Sequence, residues 1–381
     1  MGRRTGARAG GDGLEARAIA AVRRVLLRWY ARTARDLPWR RAPDPYRVWI
    51  SETMLQQTQV ERVCDAFGRF LDSFPTVAAL AAADESAVLR AWEGLGYYRR
   101  ARQLHAAARV VVAEHGGRLP EDDGALRRLP GIGRYTAGAI RSIALGQPAP
   151  IVEANSRRVL ARLVGHRAEV GGAADEPLWQ VAARLVPPQG AGAFNQALMD
   201  LGATVCTPRA PRCTRCPLLG HCRAHAGGLT GSIPRLPRPR AAEVREETAL
   251  VIRHAEHVLV EQRRPGEWWE GLWDFPRLPA SGLAGLRPGP PHEIGRIVYT
   301  VTHHRITLRV VVRRAARRTR LAPPRAWVSV ADLAGLALSS PGRRIARMLA
   351  DDGTEPPPRR RSRYVPAPGT TSSSAREKKR A

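Results

Sequence analysis

Four of the five cysteines lie in one short stretch, CTPRAPRCTRCPLLGHC, at Cys206, Cys213, Cys216 and Cys222. In a reducing compartment, thiols packed this closely read as metal ligands rather than disulfides. Structural zinc usually pairs two short Cys-x-x-Cys hooks, and this loop has one. The uneven gaps of six, two and five residues suit four thiolates on a 4Fe–4S cube, with zinc as the alternative. The fifth, Cys64, falls on an apolar helical stripe and reads as a core residue.

A carboxylate poses the second question. In APIVEANSRRVLAR (149–162), Glu153 separates an apolar run from a helical pattern carrying Val159, Leu160, Leu163 and Val164. It either complements the positive end of that helix or forms half of an active site. The third candidate is LRRLPGIGRYTAGAI (126–140), where Pro-Gly-x-Gly joins two helical patterns. Gly131 and Gly133 permit a tight turn and let backbone N–H groups approach an anion, with Arg134 beside them. Any helix–helix turn uses such residues. Together with the cysteines and the charge described next, this one reads as a clamp on DNA phosphate.

The elements that hold these residues follow from composition and period. The 381 residues are enough for two domains, and no run of eighteen apolar residues offers a membrane span. MGRRTGARAGGDG lacks the apolar core of a secretory leader, so the expected location is the cytoplasm, of a bacterium, at the nucleoid. Formal charge is +28, and all but two of the 62 cations are arginine. The stretch from Arg359 to Ala381 holds eight cations and one anion, and the first fourteen residues hold three and one. That leaves +19 for the rest, an excess that favours a polyanionic partner.

Residues 15–225 read mostly as helices, one of them a pattern from Ser51 to Phe74 that ends before Pro75. A Gly- and Pro-rich linker is expected at 226–243. Beyond it, ETALVIRHAEHVLVEQR suggests two strands, and Ile306, Leu308, Val310 and Val312 alternate as in a half-buried strand. The expected architecture is a mainly α domain followed by a smaller α+β domain at 244–350. Tails at 1–14 and 351–381 read as disordered.

These features together resemble the helix-hairpin-helix DNA glycosylases that carry an iron–sulfur cluster, and among them the MutY-type adenine DNA glycosylase family. The resemblance runs from about Leu37 to Ala350. It rests on LPWR (37–40), PYRVWISETMLQQTQV (45–60), GLGYYRRARQL (94–104), the hairpin, FNQALMDLGATVC (194–206) and the cysteine spacing. GLWDFP (271–276) and TVTHHRITL (300–308) resemble the Nudix-like domain with which this family reads 8-oxoguanine.

The resemblance implies hydrolysis of the glycosidic bond of an adenine flipped from its mispair with 8-oxoguanine or guanine, by a monomer acting on double-stranded DNA. It implies a 4Fe–4S cluster on the four clustered cysteines. Glu52 would be the general acid, its pKa raised by walls that Trp49, Met54 and Leu55 could supply. A first-turn carboxylate after a cap at Ser51 is the plain alternative. Tyr135 stands where relatives resembling endonuclease III carry a Schiff-base lysine. The chain has no lysine before Lys378, so a monofunctional enzyme is expected. Gln57, Leu95 and Tyr97 match duplex wedges, and Arg40 and Gln196 match adenine-pocket positions. Thr302 and His303 match the Ser/Thr-His element facing 8-oxoguanine.

Glu153 departs from this pattern. The family's usual element is Asp-Gly-Asn, and here it reads Glu153-Ala154-Asn155. The charge is kept but displaced by roughly a bond length, and a misplacement of about 1 Å can cost on the order of 100-fold in rate. Normal activity through a shifted backbone, a slower or altered reaction such as thymine or uracil release, and lesion binding without cleavage all stay open.

Overall fold

Apolar residues recurring at helical spacing carry the first part of the chain through α1 (Ala16–Thr33), α2 (Pro45–Leu55), α3 (Val60–Ser73), α4 (Val77–Ala82), α5 (Glu85–Ala91) and α6 (Arg99–His115). They continue through α7 (Asp123–Arg128), α8 (Arg134–Ala139), α9 (Ala154–Val164), α10 (Glu176–Leu185), α11 (Ala191–Thr204) and the short α12 (Arg223–Ala226). The computed structural model describes residues 15–351 apart from 239, 280–289, 317, 319–320 and 322. The tails expected at 1–14 and from 351 onward fall, Asp351 aside, outside the described residues.

The helices enclose two apolar cores. One is built on residues 37–140, with Trp49, Phe70, Trp92 and Leu104 at its centre. The other joins Val22 and Leu26 of α1 to α9, α10 and α11 through Leu160, Leu178, Phe194 and Leu201. The chain thus begins in the second core, crosses to the first and returns. Where α9 and α11 touch, a Cβ on Gly202 would stand 2.6 Å from the Cβ of Asn155, so only glycine allows that approach.

Two expectations need correction. The stretch from Ser51 to Phe74 is two helices, α2 and α3, broken at Gln56–Gln59 where Gln57 takes a left-handed φ of 57°. The first half of the expected linker is part of the helical domain. Ile233 is buried in the second core, its carbonyl accepts from Arg162 Nε at 2.8 Å, and Arg235 carbonyl accepts from Val170 N–H at 3.0 Å.

The second domain is a mixed sheet. Its strands are β1 (Glu243–His254), β2 (His257–Gln262), β3 (Trp273–Asp274), β4 (His292–Val301), β5 (His304–Arg314) and β6 (Arg325–Ser329). The order is β3-β2-β1-β5-β4, with β6 also on β2, and β1 and β5 run parallel. The alternation read from Ile306 to Val312 buries Ile306, Leu308 and Val310 and leaves Val312 partly exposed, and α13 (Ser340–Asp351) supplies Ile345 and Leu349 to the core that holds Leu308 and Val310. The helical class followed by an α+β domain is therefore the observed architecture.

Candidate active site

The two helical cores leave a cleft between them, and it holds most of the chemistry read from the sequence. A cavity of about 890 Å³ is lined by Glu52, Tyr135, Glu153 and Asn155. Arg40, Gln57, Gly131, Gly133, Arg134 and Gln196 also line it.

Glu52 does not follow a helix cap. The cap of α2 is Asp44, whose Oδ1 accepts from Tyr46 and Arg47 N–H at 2.9 and 3.0 Å. Ser51 lies inside the helix, bonded to Val48 carbonyl, and Glu52 sits far from the positive end. Glu52 is 3% exposed, and its carboxylate accepts from the Tyr135 hydroxyl. Burial pushes Glu52 up to about 7; Tyr135 and Arg40 oppose the shift, and the charge of Glu153 adds to it. The tyrosine's own hydroxyl is held well above its usual range, first by burial and then by both carboxylates. Leu55 lines the cavity, while Trp49 and Met54 are core residues behind it.

Glu153 caps a helix and lines the cavity. It is the N-cap of α9: Oε2 accepts from Asn155 N–H at 2.8 Å and Oε1 from Ser156 N–H at 2.7 Å. Ser156 Oγ accepts in return from Glu153 N–H at 2.9 Å, closing a reciprocal cap. Ala154 is the first helical residue of α9, so alanine in place of the family's glycine meets no left-handed backbone there. The carboxylate is thereby locked in orientation on the cavity wall.

Neighbouring residues that the sequence did not announce fix the rest. Fully buried Asp200 on α11 binds Arg40 through Nη1 and Nη2 at 2.8 and 3.0 Å, and Arg35 through Nε at 2.7 Å. Burial opposes its ionisation, but the two guanidiniums hold Asp200 below the usual carboxylate range. Arg158 on α9 donates to Asn155 Oδ1 at 2.9 Å and to Cys206 carbonyl at 2.6 Å, tying the cavity to the cysteine loop.

The hairpin is α7, a tight turn and α8. Gly131 has φ 77°, and a Cβ there would meet Gln103 Cβ at 2.8 Å. Arg134 pairs with Glu176 at 2.6 Å and lies 4.1 Å over the Trp179 ring. Gln57, which lines the cavity, is exposed, and Tyr97, outside that lining, is 56% exposed with a left-handed φ of 48°. Leu95 differs from its expected place as a wedge: it is 5% exposed and packed into the first core, because the turn between Gly94 and Gly96 folds it inward. Thr302 and His303 form the two-residue turn between β4 and β5, away from the cavity lining.

Cys206, Cys213, Cys216 and Cys222 line one separate small pocket. Arg162 Nη1 donates to Cys206 Sγ at 3.3 Å, and Cys222 Sγ donates to Arg162 carbonyl at 3.4 Å. Four thiolates on one zinc would stand about 3.8 Å apart. Among the described residues, the donor atoms gathered within 4.8 Å of one another belong to Glu243, His303 and His304, and the four Sγ atoms are spread wider than that. His225 lines the pocket beside the four thiols, a sulfur-rich donor set of the kind a metal or an iron–sulfur group takes.

Residues 50–183 match the family described as HhH-GPD superfamily base excision DNA repair protein, and residues 248–348 match the NUDIX domain. A solved thermostable thymine-DNA glycosylase is 31% identical over 55% of this chain and 98% of its own, with a TM-score of 0.50. Fold and site thus define a base-excision protein of the HhH-GPD class joined to a Nudix domain. The adenine DNA glycosylase of Homo sapiens is 33% identical over 87% of this chain and 74% of its own. That of Rattus norvegicus is 43% identical over 68% of this chain. The chain spans about half the length of the rat and mouse relatives. It belongs to the adenine DNA glycosylase family. Among the described residues no helix is long and apolar enough to cross a membrane.

Proposed function

We propose that the chain removes adenine mispaired with 8-oxoguanine, or with guanine, by acid-assisted hydrolysis of the glycosidic bond in duplex DNA. The observation that carries this reading is a pair of unlike carboxyl groups on one cavity: Glu52, pushed up to about 7, and Glu153, anchored by two backbone N–H donors. Glycosidic cleavage asks for one proton donor and one carboxylate with separate environments. Tyr135 occupies one oxygen of Glu52 and leaves the other to carry the proton. That proton goes to a ring nitrogen of the flipped adenine as the bond to the sugar breaks. Glu153 stabilises the resulting cation until water adds at the same carbon, and the water's surplus proton restores the acid.

Other residues support binding. The open turn at Gly131–Gly133 and Arg134 serve a DNA phosphate, and exposed Gln57 and Tyr97 serve as wedges whose contacts offset an unstacking cost of a few kcal/mol. Arg40 and Gln196 line the base pocket, and Thr302 with His303 reads the opposite 8-oxoguanine. The four clustered cysteines hold a 4Fe–4S cluster. Saturated by thiolates, such a group supplies architecture rather than acid–base chemistry.

A second reading, lesion binding without cleavage, is favoured by one observation: both Glu153 oxygens are already engaged in capping α9. The test is single-turnover base release from duplexes carrying adenine:8-oxoguanine, adenine:guanine or thymine:guanine, with the native chain, Glu153→Asp and Glu153→Gln. Adenine release by the native chain and its loss in Glu153→Gln, by on the order of 100-fold or more, are the expected results. Release by Glu153→Asp alone would establish the binding reading, and thymine release would replace the substrate.

A further inference from the structure

The loop between β2 and β3, residues 263–272, carries two tryptophans that the proposed reaction leaves idle. Its legs are tied together by Arg263 N–H on Leu272 carbonyl at 2.8 Å and Gly271 N–H on Arg263 carbonyl at 3.0 Å. At its tip the Trp268 and Trp269 rings meet edge to face, with centroids 6.2 Å apart. On one side Trp269 meets Tyr299 of β4 at 5.5 Å and packs against the first core. On the other, Trp268 meets His304 at 5.0 Å, and His304 meets His303 at 4.0 Å. Five rings thus touch in series, from the edge of the first core to the Thr302–His303 turn. Arg245 braces the series: it lies 5.8 Å from the Trp268 centroid and donates to Glu243 Oε2 at 2.9 Å. Glu243 in turn stands 3.2 Å from His304 Nδ1 and 3.4 Å from His303 Nε2.

We propose that Trp268 is a positioning residue for recognition of the base opposite adenine, acting through His304 to fix the orientation of His303. This role rests on the Thr302–His303 turn facing 8-oxoguanine, as proposed above. That lesion differs from guanine by one oxygen and one N–H, so telling them apart needs a few polar groups held in place before the duplex arrives. The turn by itself holds little: it has two residues, Thr302 is at a left-handed φ of 54°, and the His303 side chain is 28% exposed. The restraint comes from behind it. Ring pairs favour edge-to-face or tilted packing at about 4.5–7 Å, and both contacts of Trp268 have that geometry. Glu243, Arg245, Trp268 and His304 close a circuit of contacts, so no member turns alone. The loop is also pinned to the domain that bears the cavity, by Leu272 buried in the first core and by Glu270 paired with Arg102 at 2.8 Å. Trp268 therefore ties the orientation of the turn to the domain that holds Glu52.

The experiment uses the full chain and duplexes carrying a cleavage-resistant adenine analogue, so that affinity is read whether or not the base is released. Dissociation constants opposite 8-oxoguanine and opposite guanine are compared for the native chain, Trp268→Leu, Trp268→Phe and His303→Ala. Trp268→Leu should cut the preference for 8-oxoguanine by about three- to tenfold and leave affinity for the guanine duplex within about twofold, while Trp268→Phe, which keeps a ring, retains most of the preference. His304→Leu breaks the same contact from its other side and should give the same loss, which keeps the test open if Trp268→Leu does not fold. Undiminished preference in Trp268→Leu and His304→Leu, beside a loss in His303→Ala, would overturn the positioning role and leave the turn as the reader. Undiminished preference in His303→Ala would remove the turn as the reader and the role of Trp268 with it. Equal weakening on both duplexes in Trp268→Leu would also overturn the role, since it marks a ring that only supports the fold.

Discussion

Glu52 stands in the middle of a buried helix, where the proposed reaction makes use of its proton. Burial, assisted by the charge of Glu153, lifts it from an ordinary value of 4.5 to about 7. If the acid form does the work, base release should be level below about pH 6 and fall roughly tenfold per unit well above pH 7. A rate unchanged up to about pH 9 would remove Glu52 as the acid. The same shift has a thermodynamic consequence. The raised carboxyl binds its proton more tightly folded than unfolded, so its contribution to stability is full below pH 4.5 and lost as pH rises through 7. Glu52→Gln is spared that loss. Relative to the native chain it should gain on the order of 3 kcal/mol between acidic pH and about pH 8, read by denaturant unfolding at each. The apolar surroundings of Glu52 were legible because Trp49, Met54 and Leu55 are its neighbours in sequence. The dual use of Glu153 was only half legible: the cap is a reversed box, with Glu at the cap and Ser156 three residues on. Asp200 was not legible at all, since the arginines it binds lie about 160 residues away.

Arg100 plays the corresponding part among the elements. Its Nη1 donates to Thr53 and Met54 carbonyls at 2.7 and 2.8 Å, satisfying the last turn of α2 that bears Glu52. Its Nη2 reaches Thr58 Oγ1 at 2.9 Å, and Leu95 and Gly96 carbonyls at 3.1 and 3.0 Å. One buried guanidinium, which burial lowers to about 10, thus joins the acid-bearing helix to the two turns presenting Gln57 and Tyr97. Gln57 and Tyr97 are both held at left-handed φ without being glycine, a strain of order 1–3 kcal/mol each that the surrounding bonds must outweigh. Arg100→Ala should therefore cost about 2–4 kcal/mol in unfolding free energy. It should also weaken binding to mispaired duplex, and Arg100→Lys should recover little because one ammonium cannot replace the fork. Intact stability and duplex affinity in Arg100→Ala would end this account. Helical period alone suggested one continuous stripe from Ser51 to Phe74. It carried no sign of the break, because neither glycine nor proline marks Gln56–Gln59.

Across the whole molecule the two domains share a core. Leu272, beside the left-handed Gly271, is 1% exposed and buried with Trp92 and Leu104 among first-domain residues, as is Ala337. Ion pairs from each domain flank this plug: Arg102 with Glu270 at 2.8 Å, and Arg343 with Glu93 at 2.6 and 2.8 Å. Glu93 lies on the turn that leads to Tyr97, so the second domain braces the element proposed to enter the duplex. The pairs, whose side chains are 16–32% exposed, contribute modestly, roughly 1 kcal/mol each, and the apolar plug carries most of the attachment. Leu272→Ala leaves a cavity between two large bodies that need not collapse together, and should cost about 2–5 kcal/mol. Because Leu272 belongs to the second domain yet is buried in the first core, its loss falls on the joint and separates the two unfolding events. Calorimetry should find one cooperative transition for the native chain and two for Leu272→Ala, whereas Arg343→Ala should only lower the single midpoint slightly. A single transition in Leu272→Ala at the native midpoint would mean that this plug does not hold the domains together.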